Sequence, residues 1–256
     1  MPHRAILVAF LLSSCTAAPT GGGAVLHYLR TNSDGSEPER VVVHVASPTR
    51  LEVFKARSRC TNAAYVTAEL DAAGQARHLV GGRLTRGLEQ ESFAWLDDEG
   101  GRLLVRTGSP SAEPQFDLAV ADRWVLFDFD LTDMAASPPA EVRRGEALAF
   151  DLPLLFDRGA GFALENLGGL RLEPAGSESM SGEPALRYRA HGPALGDGEG
   201  ALWFRQADGR LLEARMPIPN HGEYRDFRLR LVTEESGAAA WRAVLADHWA
   251  GCPAEQ

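Results

Sequence analysis

The stretch Tyr224-Arg225-Asp226-Phe227-Arg228-Leu229-Arg230-Leu231 decides the fold class. Phe227, Leu229 and Leu231 fall on one side of an extended chain, and Arg228 and Arg230 on the other. A period of two with one apolar side reads as a half-buried antiparallel strand. Shortly afterwards the period changes. Trp241, Val244, Leu245, His248 and Trp249 recur at helical spacing within Ala238–Trp249, which makes one apolar stripe. Gly251 is a natural stop for that helix.

Similar short runs fill the rest of the chain. Ala24–Arg30, Val41–Val45, Leu51–Phe54, Tyr65–Leu70 and Ala76–Leu84 read as strands, divided by Asn32–Gly35, Ser47-Pro48 and Asp71–Gly74. Phe93–Leu96 should pair with Arg102–Arg106. Trp124-Val125-Leu126-Phe127-Asp128-Phe129-Asp130 reads as the most apolar strand of the first half. In the second half, Ala147–Phe150 and Leu154–Phe156 flank Pro153, which marks a bend or a sheet edge. Leu170–Leu172, Ala185–Arg189, Ala201–Phe204 and Arg210–Arg215 follow. A short helical turn fits Leu131–Ala136, ahead of Ser137-Pro138-Pro139. The expected fold is mainly β: an antiparallel barrel, half-barrel or sandwich with one C-terminal helix. Residues 24–256 make one β-rich domain. Trp95 and Gly101–Leu104 recur 108 positions on as Trp203 and Gly209–Leu212, so two similar halves meeting near 135–145 are also compatible with the pattern.

The first residues set an address. Met1-Pro2-His3-Arg4 and the apolar run Ala5–Leu12 have the layout of a secretory signal, and the run is too short to span a bilayer. Leu12-Ser13-Ser14-Cys15 resembles the lipobox of bacterial lipoproteins. The resemblance implies a signal peptide over 1–14, with Cys15 acylated. Thr16 after the cysteine resembles the pattern of lipoproteins sent to the outer membrane, at its periplasmic face. Without lipidation the chain would be secreted. Residues 15–23, rich in glycine, read as a tether. The layout of lipobox, tether, many antiparallel strands and helix is loosely similar to lipid-handling envelope lipoproteins built on a β half-barrel.

Composition narrows the partners. The net charge of −9 argues against nucleic acid, whose binding rests on Lys and Arg. Of 26 basic residues only Lys55 is a lysine, and it sits in an ordinary strand pattern. With Cys15 acylated, Cys60 and Cys252 remain as a pair, and an oxidising compartment favours a disulfide between them.

Catalytic signatures such as Gly-x-Ser-x-Gly or His-Glu-x-x-His are missing from the sequence. Two polar clusters stand out. Asp128, Asp130 and Asp133 would put two carboxylates on one side of a strand, suited to a hard cation or an acid/base pair; a strand end turning to water is the plainer account. His221, Glu223 and Asp226 occupy a loop between strands, where a metal or proton relay is conceivable and a plain hairpin connection is the simpler account. Trp95, Trp124, Phe127, Phe129, Trp203 and Phe204 fall on strand faces and either line a ligand cavity or fill the core. The expectation is a monomeric, membrane-anchored, non-catalytic protein that binds an apolar or amphiphilic ligand or a protein partner, with no cofactor implied. A small envelope hydrolase or metal-dependent enzyme, and a structural or assembly lipoprotein, are the alternatives.

Overall fold

The computed structural model describes residues 23–157 and 162–253. The stretch 1–14 read as a signal, Cys15 and all but Gly23 of the stretch read as a tether lie outside them. Fourteen strands form one antiparallel sheet. The chain begins at the sheet's middle with β1 (Ala24–Thr31) and steps outward through β2 (Glu39–Ser47), β3 (Arg50–Ala56), β4 (Ala64–Leu70), β5 (Ala76–Leu84), β6 (Gln90–Asp98), β7 (Arg102–Thr107) and β8 (Phe116–Ala119). Residues 120–147 then cross to the far edge. There the chain returns inward through β9 (Leu148–Asp157), β10 (Phe162–Met180), β11 (Glu183–His191), β12 (Gly200–Arg205), β13 (Leu211–Met216) and β14 (Phe227–Ser236). Strand β14 pairs with β1, so the N- and C-terminal strands close the middle of the sheet. The chain is mainly β as the strand patterning implies, and of the barrel, half-barrel and sandwich which that patterning allows, the single open sheet fits the half-barrel.

The sheet curls, and its two faces are covered by different segments. Inward-facing residues from both arms meet in one cluster: Leu26 and Tyr28 of β1, Leu51 and Val53 of β3, Leu103 of β7, Leu152 of β9 and Phe204 of β12 belong to it. The crossing fills the middle of that concave face with Trp124, Phe127, Phe129, Leu131 and Met134. On the convex face, α3 (Ala238–Trp249) sets Trp241, Val244 and Leu245 against Val25, Val42, Phe54 and Tyr65. Cys60 and Cys252 are joined by a disulfide with Cα atoms 5.4 Å apart. His248 Nε2 lies 2.8 Å from the Thr61 carbonyl, and the Trp249 indole donates to the Thr85 carbonyl at 3.0 Å. The C-terminal end of α3 is therefore tied to the β3–β4 loop and to the end of β5.

The crossing departs from the sequence expectation. Trp124–Asp130 is no strand: residues 127–129 form a single 3-10 turn, and Trp124 makes one parallel bridge to Asp151 of β9. Trp124, Val125, Leu126, Phe127 and Phe129 are all buried. A short run that is apolar on every side has no face to alternate, so its pattern cannot distinguish a strand from a buried plug. The Trp124 bridge also covers the free side of edge strand β9, where Pro153 sits. Asp130 and Leu131 both take positive φ (56° each), a strained reversal that points the chain into α1 (Thr132–Ala136). A further short helix, α2 (Ala140–Arg144), follows the two prolines and stops at Gly145, whose φ of 70° suits a left-handed cap. Strand β14 starts at Phe227, so Tyr224–Asp226 belong to the preceding loop.

Candidate functional site

The inward rows of three neighbouring strands end in charges. In β1 the row runs Leu26, Tyr28, Arg30; in β2, read backwards, Val43, Val41, Glu39; in β3, Leu51, Val53, Lys55. Register places Arg30 opposite Glu39, and Lys55 opposite Val41. The ends of these rows form one polar corner of an otherwise apolar interior. The crossing brings Asp128 and Asp130 to it, and the 217–226 loop brings Asn220, His221 and Tyr224.

The hydrogen bonds leave little choice of partner. Lys55 Nζ lies 2.6 Å from Asp130 Oδ2, donates to the Asp128 carbonyl at 2.9 Å and meets His221 Nε2 at 3.1 Å. An ammonium has three N–H donors and no acceptor, so all three are used. His221 Nε2 must therefore accept, which leaves the ring proton on Nδ1, 3.2 Å from Asp128 Oδ1. Burial, followed by the Lys55 charge, pushes the His221 pKa down to about 3, which keeps the ring neutral. Burial alone would lower Lys55, but the carboxylates of Asp130, Glu39 and Asp128 outweigh it and hold the ammonium above its ordinary value. Asp130 is fully buried. Burial acts to raise its pKa, yet the Lys55 ammonium, by charge and hydrogen bond, and the Arg30 charge hold it below the usual carboxylate range.

Arg30 is held through its two terminal nitrogens, while its Nε–H has no hydrogen-bond partner among the described residues. The terminal nitrogens donate to the Thr31 and Asp226 carbonyls and to Asn220 Oδ1, and the guanidinium lies 3.3 Å from the centre of the Tyr224 ring. Asn220 Nδ2 in turn donates to Asp130 Oδ1 at 2.6 Å and to the Phe127 carbonyl at 3.0 Å. These contacts grip both backbone and side chain of the strained reversal at residues 127–131. Tyr224 donates to Glu39 Oε2 at 3.2 Å. Burial pushes Asp128 up to about 7, opposed by Lys55 and reinforced by Asp130 and Glu39. Glu39 is also raised, first by burial.

Beside this corner lies a cavity of about 200 Å³. Its polar mouth is Glu39, Lys55, Asp128 and His221. Its walls are apolar, with Leu79, Val105, Phe129 and Leu155 among them. Ala64, Gly81 and Ala94, on adjacent strands β4, β5 and β6, leave the space open.

The site residues read from sequence are redistributed. Asp128 and Asp130 do not share a side: Asp130 faces Lys55 in the interior, while the Asp128 side chain is 29 % exposed at the cavity mouth. The 3-10 turn and the left-handed residue after it rotate them apart. Asp133 joins neither; it is buried in α1, accepts from the Met134 amide at 2.8 Å, and is pushed up to about 7 by burial. His221, Glu223 and Asp226 do not converge on a common point. Glu223 is exposed, and Asp226 accepts from the Ser33 amide at 2.6 Å. The partners of His221 come from the other cluster and from Lys55, which the strand pattern had passed over. No group of three His, Cys, Asp or Glu among the described residues is arranged to hold a metal. The aromatic set splits three ways. Trp95 and Phe129 border the cavity, and Trp124, Phe127 and Phe204 are core. Trp203 lies on the opposite face with Ala185 and Leu212, its indole donating to Glu178.

No protein-family model and no curated protein matches the sequence. Solved structures that share a loose likeness include the following three. MucB in complex with MucA(peri) is 11 % identical with a TM-score of 0.28, over 88 % of this chain and 53 % of that one. The Pseudomonas aeruginosa MucA/MucB complex is 13 % identical with a TM-score of 0.28, over 88 % and 55 %. A LolA superfamily protein from Nitrosomonas europaea is 9 % identical with a TM-score of 0.30, over 85 % and 87 %. The chain thus spans about half the length of the first two.

Proposed function

We propose that this chain is a lipid-anchored envelope protein that binds an amphiphilic ligand without transforming it. The apolar cavity with one charged corner carries the reading. Apolar walls with a few converging polar groups are the usual make-up of a ligand site, and here the polar groups stand at one end only. The volume limits the ligand. About 200 Å³ lies below the roughly 300–1,000 Å³ of sites that enclose a whole small molecule, so the cavity takes one apolar arm. An apolar cavity of about 150 Å³ accepts benzene, so six or seven carbons fit.

Catalysis finds less support. Among the described residues no Ser, Thr or Cys side chain lines the cavity, so His221 has no hydroxyl or thiol there to activate. Its two nitrogens are also engaged, by Lys55 and Asp128. The Cys60–Cys252 disulfide fits an oxidising compartment, and the lipobox at Leu12–Cys15 supplies the anchor in this reading.

Native mass spectrometry of protein extracted from membranes tests both parts at once. The expected result is a chain beginning at Cys15 and carrying acyl groups, with a small apolar ligand bound. Gly81→Leu should keep the anchor and lose the ligand. A Cβ at Gly81 has Ala94 Cβ as its nearest neighbour, at 3.5 Å, so the larger side chain enters the cavity without moving backbone. Retention of the same ligand by Gly81→Leu would remove the cavity from the reading, and an unacylated chain would remove the anchor.

A further inference from the structure

The charges at the cavity mouth select the ligand's head group, and they select it against first appearance. A lysine beside an apolar cavity suggests a carboxylate or phosphate ligand. The hydrogen bonds deny it. Each N–H of Lys55 is occupied, by Asp130, the Asp128 carbonyl and His221. Arg30 is turned away towards Thr31, Asn220 and Asp226, under the Tyr224 ring. His221 presents Nε2 to Lys55 and its Nδ1 proton to Asp128. At the cavity mouth no basic donor is therefore left for an anion: the Arg30 Nε–H has no hydrogen-bond partner among the described residues, but Arg30 is fully buried and does not line the cavity.

Acceptors are left over instead. Asp128 uses Oδ1 towards His221, and Glu39 uses Oε2 towards Tyr224. Among the described residues nothing donates to Asp128 Oδ2 or Glu39 Oε1, and both carboxylates border the cavity. The corner holds three carboxylates, Glu39, Asp128 and Asp130, against two fixed cations, Arg30 and Lys55. With His221 neutral and Asp128 ionised, as at pH 8, one negative charge is uncompensated.

We infer that the mouth recognises a protonated amine on a short apolar arm: the arm fills the cavity and the ammonium donates to Asp128 and Glu39. This rests on the cavity being the ligand site and goes on to name the ligand's head group. The pull that burial and neighbouring carboxylates exert on Asp128 and Glu39, raising both, is what an added cation relieves. Charge-assisted hydrogen bonds contribute more than neutral ones, so the head group separates otherwise equal ligands.

Calorimetric titration of the full chain at pH 8 with n-hexylamine, n-hexanol and n-hexanoate tests the inference. The arms are alike and only the head differs. The amine should bind at least tenfold tighter than hexanol, and hexanoate weakest. Asp128→Asn and Glu39→Gln should each reduce the amine-to-hexanol affinity ratio several-fold, with circular dichroism and the urea midpoint reporting that each variant is folded. A second arm needs no variant. Lowering the pH from 8 to 6 passes the value near 7 at which Asp128 takes up its proton. Lys55, Arg30 and Tyr224 hold their protons, His221 stays neutral, and Asp130 stays ionised over that range. Protonation of Asp128, together with any of the raised Glu39, removes acceptors, and exposed Glu223 stands outside the cavity lining. Amine affinity should therefore fall with pH while hexanol affinity holds. Hexanoate binding as tightly as the amine, or an amine advantage that survives both substitutions, overturns the inference and leaves the cavity intact. Failure of hexanol to bind the natural chain overturns the cavity reading, and the inference with it.

Discussion

The convex face of β1–β5 is covered by α3, and the concave face of the same strands by the 120–147 crossing. The two covers are built on opposite lines. The α3 cover is a regular helix with an apolar stripe, joined to the sheet by a covalent bond at its far end. The crossing is mostly irregular, strained at Asp130 and Leu131, and joined through buried charges. A helix satisfies its own backbone and needs only to bury a face. An irregular segment must find partners for each buried polar group, and here Asn220 and Lys55 supply them to the Phe127 and Asp128 carbonyls. The charges therefore do two things. They fix where the crossing reverses, and they leave a polar corner beside the cavity.

Removing one member of the concave attachment should have the largest effect. Lys55→Met leaves Asp130 buried with a charge and no ammonium partner, which costs about 3–5 kcal/mol in comparable buried pairs. Urea unfolding followed by tryptophan fluorescence measures it. Adding Asp130→Asn should restore much of the loss, because the uncompensated charge goes with the lysine. A double variant as unstable as the sum of the singles would mean that Lys55 acts through packing alone.

The convex attachment should yield less. Cys60→Ser with Cys252→Ser opens a loop of 192 residues. Chain entropy puts the ceiling near 5 kcal/mol, and measured losses are typically about 2–4 kcal/mol. His248 and Trp249 would still hold the helix end through Thr61 and Thr85. The comparison sharpens if hexanol binding is measured in parallel: the disulfide variant should keep it, since no cavity residue lies on the convex cover, whereas Lys55→Met should weaken it. Equal loss in both would show that the two faces are coupled through the sheet.

The same contrast explains what the sequence discloses. Strands with one wet face, such as Phe227–Leu231, show their period, and α3 shows its stripe, because burial there is one-sided. The crossing is buried all round, so Trp124–Asp130 imitates a strand. The short strand Phe116–Ala119 and the helix Ala140–Arg144 offered too few positions to reveal a period. Of the site, His221, Asp128 and Asp130 stood out by type, but their pairing depends on contacts between residues 73 to 166 positions apart. One local signal did exist. Leu26-x-Tyr28-x-Arg30 and Leu51-x-Val53-x-Lys55 are inward rows that end in a cation, and a charge continuing an apolar row announces a buried partner.

The smallest expected effect tests whether every carboxylate in the crossing is stabilised in the same way. Asp133 is buried like Asp130, but among the described residues no cation pairs with it, and its hydrogen-bond donors are the Met134 amide and its own. Burial pushes its pKa up to about 7 from an ordinary 3.8. A raised carboxylate pKa means that the folded chain holds the proton more tightly than the unfolded chain. Stability is then lost as pH rises from about 4 to 7, because the fold must accept a charge it does not pair. The substitution Asp133→Asn keeps an acceptor for the Met134 amide and carries no charge. That variant should therefore be more stable than the natural chain at pH 8 by about 1–2 kcal/mol, below the roughly 4 kcal/mol that the full shift allows. The difference should shrink to well under 1 kcal/mol near pH 4, where the aspartate is neutral in the folded chain and about 40 % neutral in the unfolded one. His221, whose lowered pKa costs stability as pH falls below its ordinary value, titrates alike in both proteins and cancels. Urea midpoints at pH 4, 6 and 8 decide it. A variant less stable at pH 8 would show that the Asp133 charge is paired after all, and the contrast with Asp130 would fail.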